Sequence, residues 1–150
     1  MLRFFYFPKM PLEVVRLSGF SMDDPRLKDR AWHQAKFNDF AQVYNGRDVI
    51  KSMEEEGQLN PGIGYWNPSG EEWVVEPGQT RWQASYVLGW PTMRLLVKAT
   101  EEEMEHFHLL EHIEHTEITS REEVEKLFGE TTWDSHVGLG YLRRKGWFQD

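Results

Sequence analysis

"EEWVVEPGQTRWQASYVLGWPTMRLLV", residues 71 to 97, sets three elements in a row. Trp73-Val74-Val75 is a β-like run that stops at Pro77-Gly78, because proline lacks a ladder donor and glycine adopts turn conformations. A helical pattern follows at once, with Ala84, Val87 and Leu88 toward a core, and ends at Gly89, a residue suited to a C-terminal cap. A second β-like run starts near Thr92. Between strand and helix stands a polar Gly78-Gln79-Thr80-Arg81. The first turn of a helix exposes unpaired N–H groups and the positive end of its dipole. Gly78 permits close approach to the backbone, Thr80 can cap or donate, and Arg81 offers a planar, permanently charged fork. Two readings stand side by side: a cradle for an anion, and a tight turn with an N-cap and a surface arginine.

Outward from this stretch the pattern continues in both directions. Upstream, "RDVIKSMEEEG" (47–57) predicts a short amphipathic helix with Val49, Ile50 and Met53 on one face and Gly57 as its cap. "LNPGIGYW" leads into a strand, "NPSG" is a turn, and "LRFFYF" (2–7) and "LEVVRL" (12–17) read as strands divided by Pro8 and Pro11. Residues 18 to 46 read as a helix with a loop or as an insertion over the core, ending in the turn pair Asn45-Gly46. Downstream, Thr100 with Glu103 predicts a capping box for a helix reaching His115. Ser120 with Glu123 predicts a second, for a helix closed by Gly129. The tail is expected to pack through Val137, Leu139, Tyr141 and Trp147.

The stretch "VVEPGQTRWQASYVLGWPTMRLLV" resembles the signature of the ParB/sulfiredoxin-like superfamily, in which a strand ends in a Gly-x-x-Arg turn and "LG" precedes the next strand. "VIKSMEEEGQLNPGIGYW" looks like the helix, Asn-Pro turn and strand of the same domain, so the likeness covers residues 10 to 98. It implies an α+β fold with a small mixed sheet and packed helices in residues 1–99, with 18–46 as an insertion. Residues 100–150 follow as an acidic helical appendage. It also implies a nucleoside triphosphate, ATP or CTP with Mg²⁺, held between the turn of Asn60 and Gly62 and that of Gly78, Gln79, Thr80 and Arg81. NTPase or nuclease activity and a phage or plasmid accessory role belong to the same implication. Gln79 stands where sulfiredoxins carry their cysteine, so that chemistry is excluded. Glu76 lies near the acid that many members place ahead of the glycine; it is either a base or Mg²⁺ ligand or a solvated strand-end carboxylate. Trp66 and Trp82 flank the expected pocket, and either stack on a base or pack in the core. No DNA-reading helix-turn-helix follows, so this is not a full partition protein.

Composition bounds the remaining classes. The chain of 150 residues has no cysteine, which removes disulfides, thiolate metal sites and cysteine nucleophiles. No apolar run is long enough to span a bilayer, and "MLRFFYFPKMP" is too short for a secretory signal, so a cytoplasmic location is expected. Residues 101 to 150 hold thirteen acidic and five basic residues, the whole of the net −8, while the first hundred residues balance. Direct duplex DNA binding is therefore weakly supported. The acidic run is the solvated side of amphipathic helices, with Phe107, Leu110 and Ile113 on the buried side, or a surface that docks a basic protein or a nucleic-acid-associated complex. His108, Glu111 and His112 match H-x-x-E-H, and His108 and His112 would share one helix face and reach a metal. A protease would need a third ligand and a cleft. Without them, the histidines are solvated or paired with glutamate.

Overall fold

The computed structural model describes residues 1–20, 24–39, 43–44, 47–58, 60–128 and 139–148. The Asn45-Gly46 turn, the Gly129 cap, the Val137 contact and the Leu139 side chain lie outside the described residues. Among the described residues eight strands occur in chain order: β1 Leu2–Pro11, β2 Arg16–Leu17, β3 Val43–Tyr44, β4 Arg47–Asp48, β5 Gly62–Asn67, β6 Glu72–Val75, β7 Thr92–Thr100 and β8 Thr116–Ile118. The helices are α1 Arg30–Asp39, α2 Val49–Glu56, α3 Gln79–Leu88, α4 Arg121–Glu125 and α5 Leu139–Lys145, with 3-10 helices at Pro25–Lys28 and Glu103–Leu109. Six strands form one mixed sheet in the order β2-β6-β5-β7-β1-β8, and β3 pairs with β4 separately. The α+β class expected from the sequence is the class of the structure.

Strand alternation divides the apolar residues between the two faces. One face carries Phe5, Phe7, Trp66, Trp73, Val75, Leu95 and Val97, packed against Trp82 of α3 and against Phe107 and Leu110. The other carries Phe4, Ile63 and Leu96, covered by Val124, Phe128 and Leu142 together with Tyr141 and Trp147. Helix α2 docks on α3 through Val49, Met53 and Ala84, with Ile50 beside them. Gly57, at φ +76°, ends α2 where its cap was expected.

Three expectations change. Pro8 does not divide two strands: β1 runs through it, and the register against β7 shifts between Phe7 and Met10, where a missing N–H is tolerated. The strand expected over 12–17 shrinks to Arg16–Leu17, because Val14 N–H turns back to the Pro11 carbonyl at 3.1 Å. The helix expected from Thr100 to His115 is a 3-10 helix over Glu103–Leu109 followed by turns. Its capping box is present: Thr100 N–H donates to Glu103 Oε1 at 2.8 Å, and Glu103 N–H to Thr100 Oγ1 at 3.1 Å. Met104, Phe107, Leu110 and Ile113 recur every three residues, the period of a 3-10 helix, and all four reach the same core. The acidic segment also adds a strand: β8 pairs antiparallel with β1 through Phe4↔Ile118 and Tyr6↔Thr116.

Residues 24–39 prove to be helical cover. Asp24 caps the Pro25–Lys28 turn, and α1 lies on α3. Buried His33 fastens the two helices: its Nδ1 accepts from Gln83 Nε2 at 3.1 Å, so its Nε2 carries the proton donated to the Leu27 carbonyl at 3.2 Å.

Candidate functional site

Strand β6 hands over to α3 through Pro77 and Gly78. Gly78 sits at φ +116°, ψ 9°, which a side chain resists. A Cβ there would stand 2.7 Å from Gly62 Cα. Ile63 N–H donates to the Pro77 carbonyl and Glu76 N–H to the Ile63 carbonyl, both at 2.9 Å. The turns at Asn60–Gly62 and Pro77–Gly78 therefore abut, as the motif order implied. The reason for glycine differs from the expected one: the space left by the missing Cβ of Gly78 faces the backbone of Gly62.

Helix α3 begins without a side-chain cap and with no acidic residue in its first turn. Its first helical bond runs from Trp82 N–H to the Gly78 carbonyl at 3.1 Å. Gln79 and Arg81 are half-buried, while Thr80 and Asn60 are buried. Asn60, Thr80 and Arg81 each interact with a neighbour in the fold.

Glu76 follows a different geometry. Val75 and Trp73 face α3, so alternation turns Val74 and Glu76 to the opposite face. There the Tyr65 hydroxyl donates to Glu76 Oε2 at 3.3 Å. Burial pushes the Tyr141 hydroxyl above the ordinary tyrosine range, with the charges of Glu76 and Tyr65 adding to it and Arg144 opposing. Lys98 Nζ lies 5.6 Å from the Tyr65 ring centre and 5.2 Å from that of Trp147. Glu76, Tyr65, Lys98 and Tyr141 thus form a polar group under α5 that the sequence reading missed. The signal was available: period-two alternation along β5, β6 and β7 puts Tyr65, Glu76 and Lys98 on one face.

The two tryptophans are core residues. Trp66 is buried at one end of β5, stacked on His106 at 4.0 Å and edge-on to Trp73 at 5.3 Å. Trp82 is buried, donates its Nε1 to the Leu12 carbonyl at 3.2 Å, and stacks on Tyr86 at 5.6 Å. Neither supports the base-stacking reading.

The two histidines do not lie on one α-helix. His108 lies on the 3-10 helix and His112 beyond its end at Leu109, so the shared α-helical face does not exist. Both are exposed, and His108 Nδ1 lies 3.0 Å from the Glu105 carbonyl. Among the described residues no group of three or more His, Asp or Glu is placed to hold a metal ion. No helix among them is long and apolar enough to cross a membrane.

No family model and no curated protein matches the chain. Among solved structures it is similar to the crystal structure of sulfiredoxin from Arabidopsis thaliana, at 21% identity over 73% of this chain and 97% of that chain, with a TM-score of 0.39. At that identity and score the likeness says nothing of the site, whose chemistry rests on its own residues.

Proposed function

We propose that the chain binds a nucleoside triphosphate by its phosphates at the amino end of α3. One observation carries the reading: two glycines hold the Asn60–Gly62 and Pro77–Gly78 turns in backbone contact, beside a helix end with no acidic residue and no side-chain cap. Such an end favours an anion by about 0.3–1 kcal/mol when exposed. Arg81 would add a charge-assisted fork, exchanging its present partner for phosphate. The Gly-x-x-Arg resemblance supports phosphate over carboxylate. ATP and CTP are the candidates, and Mg²⁺ would enter with the nucleotide. Glu76 is not assigned to that metal, because its carboxylate is bonded to Tyr65 on the opposite face. Hydrolysis is left out of the proposal: Gln79 has no titratable group and Thr80 is buried.

Calorimetry with ATP, CTP and GTP plus Mg²⁺ tests it. Arg81→Ala is expected to weaken binding at least tenfold, the scale of a lost charged hydrogen bond, whereas Lys98→Gln on the other face leaves it unchanged. An absence of heat with every nucleotide would end the reading.

A second reading has an observation of its own. Glu111 and Glu114 are exposed near Leu109, which is 45% exposed, and this ridge suits a basic protein surface. Other glutamates of the segment are already matched, Glu117 by Arg3 and Glu125 by Arg121, both at 3.0 Å. Titration with a lysine-rich peptide separates the cases. If reversing Glu111 and Glu114 to lysine leaves binding unchanged, the ridge serves solubility alone.

A further inference from the structure

We infer a second binding site, at the carboxyl end of α3, for a planar aromatic molecule carrying one anionic arm. A pocket of about 740 Å³ opens there, and Trp82, Tyr86 and Trp90 present aromatic surface to it. That volume lies in the range of small-molecule sites. The pocket extends from Gly89 back to Trp82, and its lining shares no residue with the phosphate site proposed above at Asn60, Gly62 and Gly78–Arg81.

The walls are apolar because their polar groups are spoken for. The Trp82 indole N–H is used by the Leu12 carbonyl, and the imidazole of His33 behind it by Leu27 and Gln83. Leu12, Leu27 and Pro91 complete the surface. A flat ring system gains most in such a slot, through dispersion and removal of apolar area from water.

The charge of the arm follows from the groups around the opening. Lys28 is exposed on the rim, and no carboxylate among the described residues pairs with it. Arg16 also lines the pocket and is only 2% exposed. Its Nη2 lies 2.7 Å from Glu72 Oε2. That guanidinium lies with Val74 and Glu72 on the sheet face turned away from α3, so it does not point into the pocket and Lys28 alone supplies the cation at its rim. Glu13, exposed on the rim, is the one unmatched carboxylate among the lining residues. The carboxyl end of α3 would ordinarily repel an anion. Here it is blunted, since Gly89 N–H and Trp90 N–H cap the Tyr86 and Ser85 carbonyls and the Arg30 guanidinium donates to that of Val87.

Three naphthalene probes separate the possibilities on the full chain: 1-anilinonaphthalene-8-sulfonate, N-phenyl-1-naphthylamine, which has the same rings without the sulfonate, and the smaller cation 1-naphthylmethylammonium. Fluorescence titration gives affinity, and ¹H–¹⁵N spectra give the location. The expected result is one-to-one binding of the sulfonate, at least fivefold tighter than the neutral probe. The amides of Leu12, Leu27 and Gly89 should shift, and excess ATP should not compete. Lys28→Glu, a change at an exposed side chain, is expected to shrink that gap with spectral dispersion intact. Equal binding of charged and neutral probes, preference for the ammonium probe, shifts centred on Gly78, or no saturable binding would each overturn the assignment.

Discussion

Gly78 and Gly89 both lie at positive φ, yet their surroundings differ, and substitution separates the two effects. At Gly89, φ is +80° and a Cβ would meet nothing within 4 Å. Gly89→Ala should therefore lose about 1 kcal/mol, the backbone penalty alone. At Gly78 the added Cβ meets Gly62 Cα at 2.7 Å. Gly78→Ala should lose about 2–3 kcal/mol in urea unfolding, since the strained backbone is joined by a clash that only separating the two turns relieves. Both glycines were legible as punctuation in the sequence. The contact between residues 62 and 78 was legible only as motif order, because no local pattern reports which backbone lies across a gap. A charge is equally local. Arg26 holds the Asp24 carboxyl at about 2, against an ordinary 3.8. Its folded value is the depressed one, so this interaction stabilises above pH 3.8 and is lost as pH falls toward 2. In Arg26→Gln the Asp24 carboxyl should titrate back toward 3.8, which carboxyl-carbon NMR reads directly.

Among the elements, β2 is the shortest of the main sheet and rests on a buried ion pair. Arg16, at 2% exposure, reaches Glu72 of the neighbouring β6. Glu72→Ala leaves that guanidinium buried without its counterion and should lose about 3 kcal/mol by chemical denaturation, whereas the double change Arg16→Met, Glu72→Leu should lose less. A single loss equal to or smaller than the double would show that the pair does not hold the edge. Nothing in "LEVVRL" announces this, because the partner is more than fifty residues away. The opposite holds for residues 103–113. Their three-residue apolar period lay open in the sequence, and reading it as an α-helix was a choice of period that also placed His108 and His112 on a shared α-helical face. For Tyr65, Glu76 and Lys98, alternation was readable strand by strand, but their meeting required knowing that β5 lies between β6 and β7.

Over the whole molecule, the segment after Thr100 closes the second face of the sheet. Ile118, Val124, Phe128 and Leu142 are all buried there. At about 1.5–3 kcal/mol per apolar side chain, their loss approaches the total stability of a typical domain. Residues 1–100 alone should give no cooperative thermal transition by circular dichroism, so removing the acidic segment is not a clean test of partner docking. The overall class was legible because each strand and helix carried its own period. The apolar side of the acidic segment was legible too, in Phe107, Leu110, Ile113, Tyr141 and Trp147, which all pack on the sheet, but nothing in its charge pattern showed that it would add β8 to the sheet edge. The pairing of β1 carries one more consequence. Leu2 lies opposite Thr100, and Phe4 opposite Ile118, so the earliest-synthesised strand finds both neighbours only after the ribosome has delivered the rest of the sheet. Until then Phe4, Phe5 and Phe7 are an open, sticky ribbon. Expression yield should consequently follow the supply of chaperones that shield nascent chains more closely than it follows equilibrium stability.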